Sequence, residues 1–437
     1  MVNSSTMTLI VIVMAIYFIG MIAISWMGRK YGKNFDDFIS AGRNCTTLMI
    51  IGSAVGSHIG NGYVVGGAAS GAAVGLSGAW YGIGCALSYL AVALVLNHRV
   101  YKCGYISLPE ILNARYGEKM TSVIFSVTTA LSYIANIAAQ LMAGKALFEA
   151  LGFNGTLGVW VIAVVVMAYS CISGLWGACA TSVVQVAIII VSLLATFFIV
   201  LGRGAFGLVT EAVANGLAPA SYFDMGADGI AAILITIVPI SLASLCEQCT
   251  VQRITSAKSE KTSFRALILS VVIMIPCALM PAFIGMYGYV LFGDTTNSVF
   301  FKVALDVLPS FFAALLIAAV VAAIMSTIDT MFVAFSTIIM HNIYRGMINP
   351  DASEGTLKKG DFACHLFLTV GAAVIALQFS SILDLLGAMY RFCAACCFAP
   401  FIGGLFWKKG TSKGAIASTI VGFIYIACLL YTSDAAD

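Results

Sequence analysis

IGSAVGSHIGNGYVVGGAASGAAVGLSGAWYGIG, residues 51–84, holds eleven glycines, a lone His58 and no Asp, Glu, Lys or Arg. It is apolar enough to lie in a bilayer, yet it cannot stay helical throughout. Each interior Gly costs about 1 kcal/mol relative to Ala, and Gly60-Asn61-Gly62 places a polar side chain where it competes for backbone hydrogen bonds. Unwinding is expected near residues 57–63. In lipid each freed N–H and C=O must find a partner, so irregular backbone at membrane depth persists only where it is buried in protein or lines a site. The break is therefore the first candidate site.

The rest of the 437-residue chain agrees with a membrane setting. It is 61% hydrophobic and 9% charged, which excludes a soluble domain. Windows of roughly 20 apolar residues suit a hydrocarbon core of about 30 Å. Twelve are found, at 7–27, 46–70, 78–97, 121–148, 157–176, 181–202, 229–249, 265–292, 309–340, 362–379, 381–406 and 412–431. The first lacks a basic leader and precedes a basic loop, so it reads as a retained span. The thirteen cysteines fall mostly in these windows and are assigned to packing; Cys246/Cys249 and Cys393/Cys396/Cys397 have metal-like spacing but no histidine beside them.

With the N-terminus outside, eighteen Lys and Arg fall in or beside inner loops and three, Lys145, Arg203 and Lys302, in outer ones. That asymmetry sets the orientation by the positive-inside rule. The reading is a multi-pass protein of the cell (inner) membrane, one integral domain spanning 1–437, with the bilayer and a small-molecule solute as its partners, no nucleic acid and no obligate protein partner. The second and seventh windows begin on opposite sides, so a five-helix repeat here must be inverted. Secondary transporters have that geometry, with sites where broken helices meet near the midplane.

The seventh window contains Pro239, then Ser241, Ser244, Glu247 and Gln248. Proline removes a backbone bond and the polar groups can satisfy what it frees, although a simple kinked packing helix fits as well. The ninth carries AAIMSTIDT, 322–330, with Ala319, Ala323, Ser326 and Thr330 on one face. Small residues permit close helix approach. Ser326 and Thr327 add adjacent hydroxyls, and with the carbonyls of an unwound Gly56–Ile59 segment they form a hard, neutral oxygen set suited to an alkali cation.

Several stretches resemble the sodium:solute symporter family: FDDFISAGRN (35–44), LPEILNARYG (108–117), VQRITSAKS (251–259), AAIMSTIDT (322–330), LDLLGAMY (383–390) and APFIGGLFWKKGTSKGAIAS (399–418). The resemblance implies an all-α LeuT-type fold with an extra N-terminal helix at 7–27, inverted five-helix repeats at 46–202 and 229–406, and an additional helix at 412–431. It implies sodium held by the carbonyls of Gly56, Ile59 and Ala323 and the hydroxyls of Ser326 and Thr327. Solute then lies against Asn61, Gly62, Tyr63, Ser241, Ser244 and Gln248. Two departures stand out. Thr181-Ser182 replaces the family's Thr-Asp, removing a carboxylate from the ion path, and His58 sits between the proposed carbonyl ligands, where it could carry a proton or simply settle the break. The pattern's last helix is missing, and 432–437 reads as a truncated or non-native end.

Ionisable groups at membrane depth mark function by default, which singles out Glu247, Asp329 and Arg391 as possible path or gate residues. Arg391 could grip a substrate carboxylate or pair with Glu247 or Asp329. The expected activity is sodium-coupled uptake of a small polar organic solute (an amino acid, carboxylate, sugar or vitamin) by alternating access, with sodium as coupling ion and no other cofactor. Proton coupling through His58 and Asp329 is the alternative. A transporter-like sensor would need a signalling domain, and no HExxH, GxSxG, catalytic carboxylate pair or phosphate-cradling loop suggests an enzyme.

Overall fold

In lipid a helix satisfies its own backbone, and the computed structural model, which describes residues 4–32, 34–117, 119–172 and 174–434, is built from helices; among them only an isolated bridge, Cys45 to Ala257, is strand-like. The helices that position the site are α1 (Ser4–Gly28), α2 (Thr47–His58), α3 (Gly67–Val74), α4 (Trp80–Ala91), α5 (Leu108–Tyr116), α6 (Lys119–Ala150), α7 (Gly155–Ser170), α8 (Gly174–Gly202), α9 (Gly229–Leu245), α10 (Gln248–Ser256), α11 (Glu260–Phe292), α12 (Ser310–Ser336), α13 (Glu354–Ala376), α14 (Ile382–Phe406) and α15 (Ser412–Asp434).

Each of the twelve predicted windows lies mainly on helix, but not all are uninterrupted spans. Among the described residues eight helices are long and apolar enough to cross a membrane, or nine if α9 and α10, bent by 53°, count as one. The second window is split into α2, a π-turn at Gly62–Gly66 and α3, while α7 and α15 contain only shorter apolar stretches. The sequence reading left several short helices out of its windows, among them Phe35–Ser40, Ala205–Ala214, Ser298–Lys302 and α5, the last fixed by a Ser107/Glu110 capping box. The reading of 432–437 as a foreign end falls partly on 435–437, outside the described residues.

Helix α12 is the centre of the bundle: every residue from Ala313 to Ser336 except Leu315 is buried. It packs against α1, α2, α6 and α8. The extra helix α1 is pinned by Tyr17, whose hydroxyl donates to Met325 Sδ (3.3 Å) and accepts from Gln185 Nε2 (3.0 Å), while Ile12, Ile16 and Ile19 face outward as a lipid-contacting surface should.

The glycines of the opening stretch allow their closest helix packing between α3 and α11. A Cβ on Gly71 would lie 2.2 Å from the Ala282 oxygen, and one on Gly285 would lie 1.8 Å from that of Ala68. Backbone meets backbone there, so no rotamer change can make room. At Gly75, φ is +76° and a Cβ would strike the Tyr222 backbone at 2.3 Å, so both conformation and space require glycine.

On the face carrying the basic loops, Glu110 accepts from the Ile106 and Ser107 N–H groups (2.9 and 3.1 Å) and lies 2.6 Å from His341 Nε2; Arg345 bonds Asp36 beside them. Burial pushes the Glu110 carboxyl up, but His341 and the two N–H groups outweigh it and hold it below the usual range. Its stabilising contribution is therefore full above the ordinary carboxylate pKa and falls away as pH drops through the depressed one.

Gly285→Ala should lower the unfolding temperature of the purified chain by several degrees, whereas Gly207→Ala, where a Cβ meets nothing within 4 Å, should leave it unchanged. Glu110→Gln should destabilise near neutral pH, with the gap from wild type closing as pH is lowered through about 4. Thermal unfolding followed by intrinsic fluorescence across pH reads both.

Candidate functional site

Helix α2 stops where the glycines begin to dominate. Ile59 N still donates to Val55 O (2.7 Å), but its ψ of 50° leaves the helical region, and Gly60 O then accepts from both Tyr63 and Val64 N–H (3.1 Å each) to start the π-turn. The observed break, Ile59–Asn61, lies inside the predicted 57–63. Helix α6 answers the backbone group freed there: Asn61 N donates to Gln140 Oε1 (3.0 Å), and Asn61 Nδ2 lies 3.4 Å from Gln140 O. A Cβ on Gly60 would lie 2.8 Å from Thr327 Oγ1 and 2.9 Å from Gln140 Oε1, so side chains from two helices close directly on the unwound backbone.

Four of the five predicted ion ligands, Gly56, Ala323, Ser326 and Thr327, come together at the same place. Ser326 Oγ donates to Gly56 O (2.8 Å); Thr327 Oγ1 lies 3.4 Å from both Gly56 O and Ser57 O and 2.9 Å from Ala323 O. Ser326 and Thr327 are fully buried, as is Ile59. Gly56 permits the approach, since a Cβ there would stand 3.2 Å from Ser326 Cβ and 3.1 Å from Val186 Cγ2. The set is hard, neutral oxygen throughout, at the C-terminal end of α2, where the helix dipole adds partial negative charge.

His58 turns the other way. Its Nδ1 is 2.8 Å from the Tyr89 hydroxyl, which also bonds Ala54 O (2.9 Å) and accepts from Arg253 Nη1 (3.2 Å). Arg253 further donates to Ser53 and Ser57 (3.1 and 2.6 Å) and is only 2% exposed. The charge count had placed Arg253 with an inner loop; it is instead inside the bundle, tying α10 to α2. Asp329, by contrast, accepts from Ser170 of α7, so the two proton-path candidates have partners on different helices. Ser182 Oγ bonds Ala178 O of its own helix (2.7 Å).

The predicted solute residues divide. Gly62 faces Tyr81 and Leu386, and Asn61 Oδ1 and Ser244 Oγ are buried with no hydrogen-bond partner among the described residues. Tyr63 sends its hydroxyl to Met274 O of α11, and Ser241 is half-buried on α9. Gln248 departs from the expectation: it accepts from Leu108 N (2.7 Å) at the start of α5, toward the basic-loop face. Glu247 lines a cavity of about 10 Å³ with Asn136, Tyr133 and Tyr390. Arg391 pairs with neither Glu247 nor Asp329; it lines a separate cavity of about 250 Å³ between α3, α4, α9 and α14.

Sequence reasoning missed Gln140, Asn136, Tyr89 and the inward role of Arg253. A buried Gln and Asn at i, i+4 in an apolar helix, Asn136 and Gln140, was the available signal. Gln140→Leu leaves the Asn61 N–H buried without an acceptor and should cost about 1–3 kcal/mol in chemical unfolding, while Gln140→Glu, which keeps an acceptor, should recover part of it.

A family model described as "Sodium:solute symporter family" matches residues 38–422. The chain is 24% identical over 450 residues to the sodium/proline symporter of Escherichia coli (96% of this chain, 87% of the relative). It is likewise 24% identical to sodium/glucose cotransporter 1 of Oryctolagus cuniculus (94% and 70%). Among solved structures, a Na+-coupled sialic acid symporter in a substrate-bound outward-open state superposes with a TM-score of 0.79 at 18% identity, covering 96% of this chain and 98% of the other. That likeness establishes the LeuT-type fold.

Proposed function

The chain belongs to the sodium:solute symporter family, and on that premise we propose that it carries out sodium-coupled uptake of a small polar organic solute by alternating access, with its N-terminus outside and its basic loops in the cytoplasm. The supporting observation is the approach of the Ser326 and Thr327 hydroxyls to the Gly56 carbonyl across the broken helix. These oxygens now hydrogen-bond one another. A sodium ion among them, with the Ile59 and Ala323 carbonyls, would exchange those bonds for ion–oxygen contacts and fasten α2 to α12.

The consequence reaches the solute through one piece of backbone. Gly56 and Asn61 lie five residues apart on either side of the break, so fixing α2 by the ion also fixes the Asn61–Gly62 wall of the solute space. Linkage is reciprocal, and solute must tighten sodium by the same factor. The membrane potential contributes about 2.3 kcal/mol per charge for each 100 mV. Movement is then a rocking of the elements that carry the two broken helices, in the proposed repeats 46–202 and 229–406, against α6, α7, α12 and α13. The solutes in the relatives' names, proline and glucose, frame the class.

Reconstituted vesicles loaded without sodium and offered labelled L-proline, D-glucose or myo-inositol should accumulate at least one of them faster under an inward sodium gradient. Ser326→Ala with Thr327→Ala should raise the sodium needed for half-maximal rate at least tenfold. Equal uptake with and without sodium, combined with loss of pH-driven uptake in His58→Gln, would replace sodium by the proton.

A further inference from the structure

The 250 Å³ cavity lies on the face opposite the basic loops, between the ends of α3, α4, α9 and α14. Its most distinctive group is the Arg391 guanidinium. In a helix the Cα–Cβ bonds tilt toward the N-terminus, here the cavity mouth, and Arg391 leans that way: a Cβ on Gly387, one turn earlier, would lie 3.3 Å from its Nη1. Glycine at 387 gives the guanidinium its place. No acid stands within ion-pair distance of it among the described residues, although Asp228 and Asp384 line the exposed rim of the same cavity.

A guanidinium in a concave site presents a planar fork of N–H donors with no built-in acceptor to match it. The hydroxyls around it, from Ser70, Ser77 and Thr236, are neutral, and the complementary ligand is an anion with two coplanar oxygens. The floor is formed by Tyr81 and Tyr390, with ring centroids 6.4 Å apart. Beyond it lies the break, where a Cβ on Gly62 would come within 3.1 Å of the Tyr81 hydroxyl. Tyr390 lines both this cavity and the small inner one that holds Asn136 and Glu247. The cavity is thus an antechamber to the proposed solute space.

We propose that it is a carboxylate-binding site, in which Arg391 takes the carboxylate of the incoming solute before that solute passes the Tyr81–Tyr390 floor. This rests on the transport reading and narrows its solute to carboxylates, either α-amino acids, whose ammonium group would meet the acidic rim, or acids without one.

The test uses the full chain in lipid nanodiscs at fixed sodium, with thermal unfolding read against L-proline, L-lactate, D-glucose and choline chloride. A carboxylate should raise the wild-type unfolding temperature and glucose should not. Response to L-proline alone identifies the α-amino acid class, and response to both the broader one. Arg391→Lys, which keeps the charge but loses the fork, should weaken the carboxylate response at least tenfold, and Arg391→Gln should abolish it, while both keep the stabilisation by sodium alone. An unchanged carboxylate response in Arg391→Gln, or a wild type that answers only to glucose, only to chloride or to no carboxylate, overturns the proposal. The sodium arm, read in the absence of solute, reports separately on the ion site.

Discussion

An interrupted helix in hydrocarbon must have its freed backbone groups answered by protein, and the rest of this structure is arranged around that demand. The break at Ile59–Asn61 exposes N–H and C=O groups that no lipid can satisfy. Helix α6 provides Gln140 for the Asn61 amide, and α12 provides Ser326 and Thr327 for the Gly56 and Ser57 carbonyls. The two answers differ in kind. An amide acceptor on an N–H closes the account of that group, whereas a carbonyl with two lone pairs and a hydroxyl that can itself accept remain able to take a cation. A structural necessity of the membrane thereby leaves a cluster of neutral oxygens, the one proposed above to hold sodium.

That arrangement needs the helices closer together than ordinary side chains permit. Gly56 and Gly60 admit Ser326, Thr327 and Gln140 at distances a Cβ would block, and Gly71 and Gly285 bring α3 and α11 into backbone contact on the other side of the break. Packing of this kind matters more in lipid than in water, because apolar burial between helices offers little gain over contact with acyl chains. Close approach and satisfied polar groups must hold the bundle. The nearly complete burial of α12 follows: the helix that supplies the hydroxyls is enclosed by α1, α2, α6 and α8 and flanked by α7, α10 and α13.

The fold was legible because its signals are local. Apolar windows, basic loops and a glycine run do not depend on distant residues, and each of the twelve windows lies mainly on helix. The cluster of oxygens proposed to hold sodium was legible for a related reason: its groups lie within about one turn on α12 and one turn on α2, so finding the two elements finds the cluster. The solute residues were less so. A window read as interrupted at Pro239 put Gln248 beside the break, but α9 runs on through Pro239, the 53° bend follows Leu245, and Gln248 accepts from Leu108 N at the start of α5. Nothing in the composition of that window fixes the direction of a bend. Gln140 and Tyr89 were invisible for the opposite reason, since each is an unremarked polar residue in an apolar helix whose importance comes only from what it faces.

The two arginines of the bundle show how misleading a charge count can be without depth. Arg253 was counted with a loop and is buried: the Ser53, Ser57 and Tyr89 hydroxyls accept its hydrogen bonds, and it braces α10 against the end of α2 that presents the carbonyls. Arg391 was read either as a grip for a substrate carboxylate or as a buried charge paired with Glu247 or Asp329, and it lines a cavity with no acid in ion-pair reach among the described residues. The difference follows from desolvation. A guanidinium removed from water must be matched nearly bond for bond, because an unmatched buried charge costs several kcal/mol by usual reckoning, about 3–5 when one partner of a buried pair is lost. One that keeps partial access to water escapes that demand and can stay unmatched until a ligand arrives. Depth, rather than charge alone, therefore separates the arginine that holds the broken helix in shape from the one left free to recognise something.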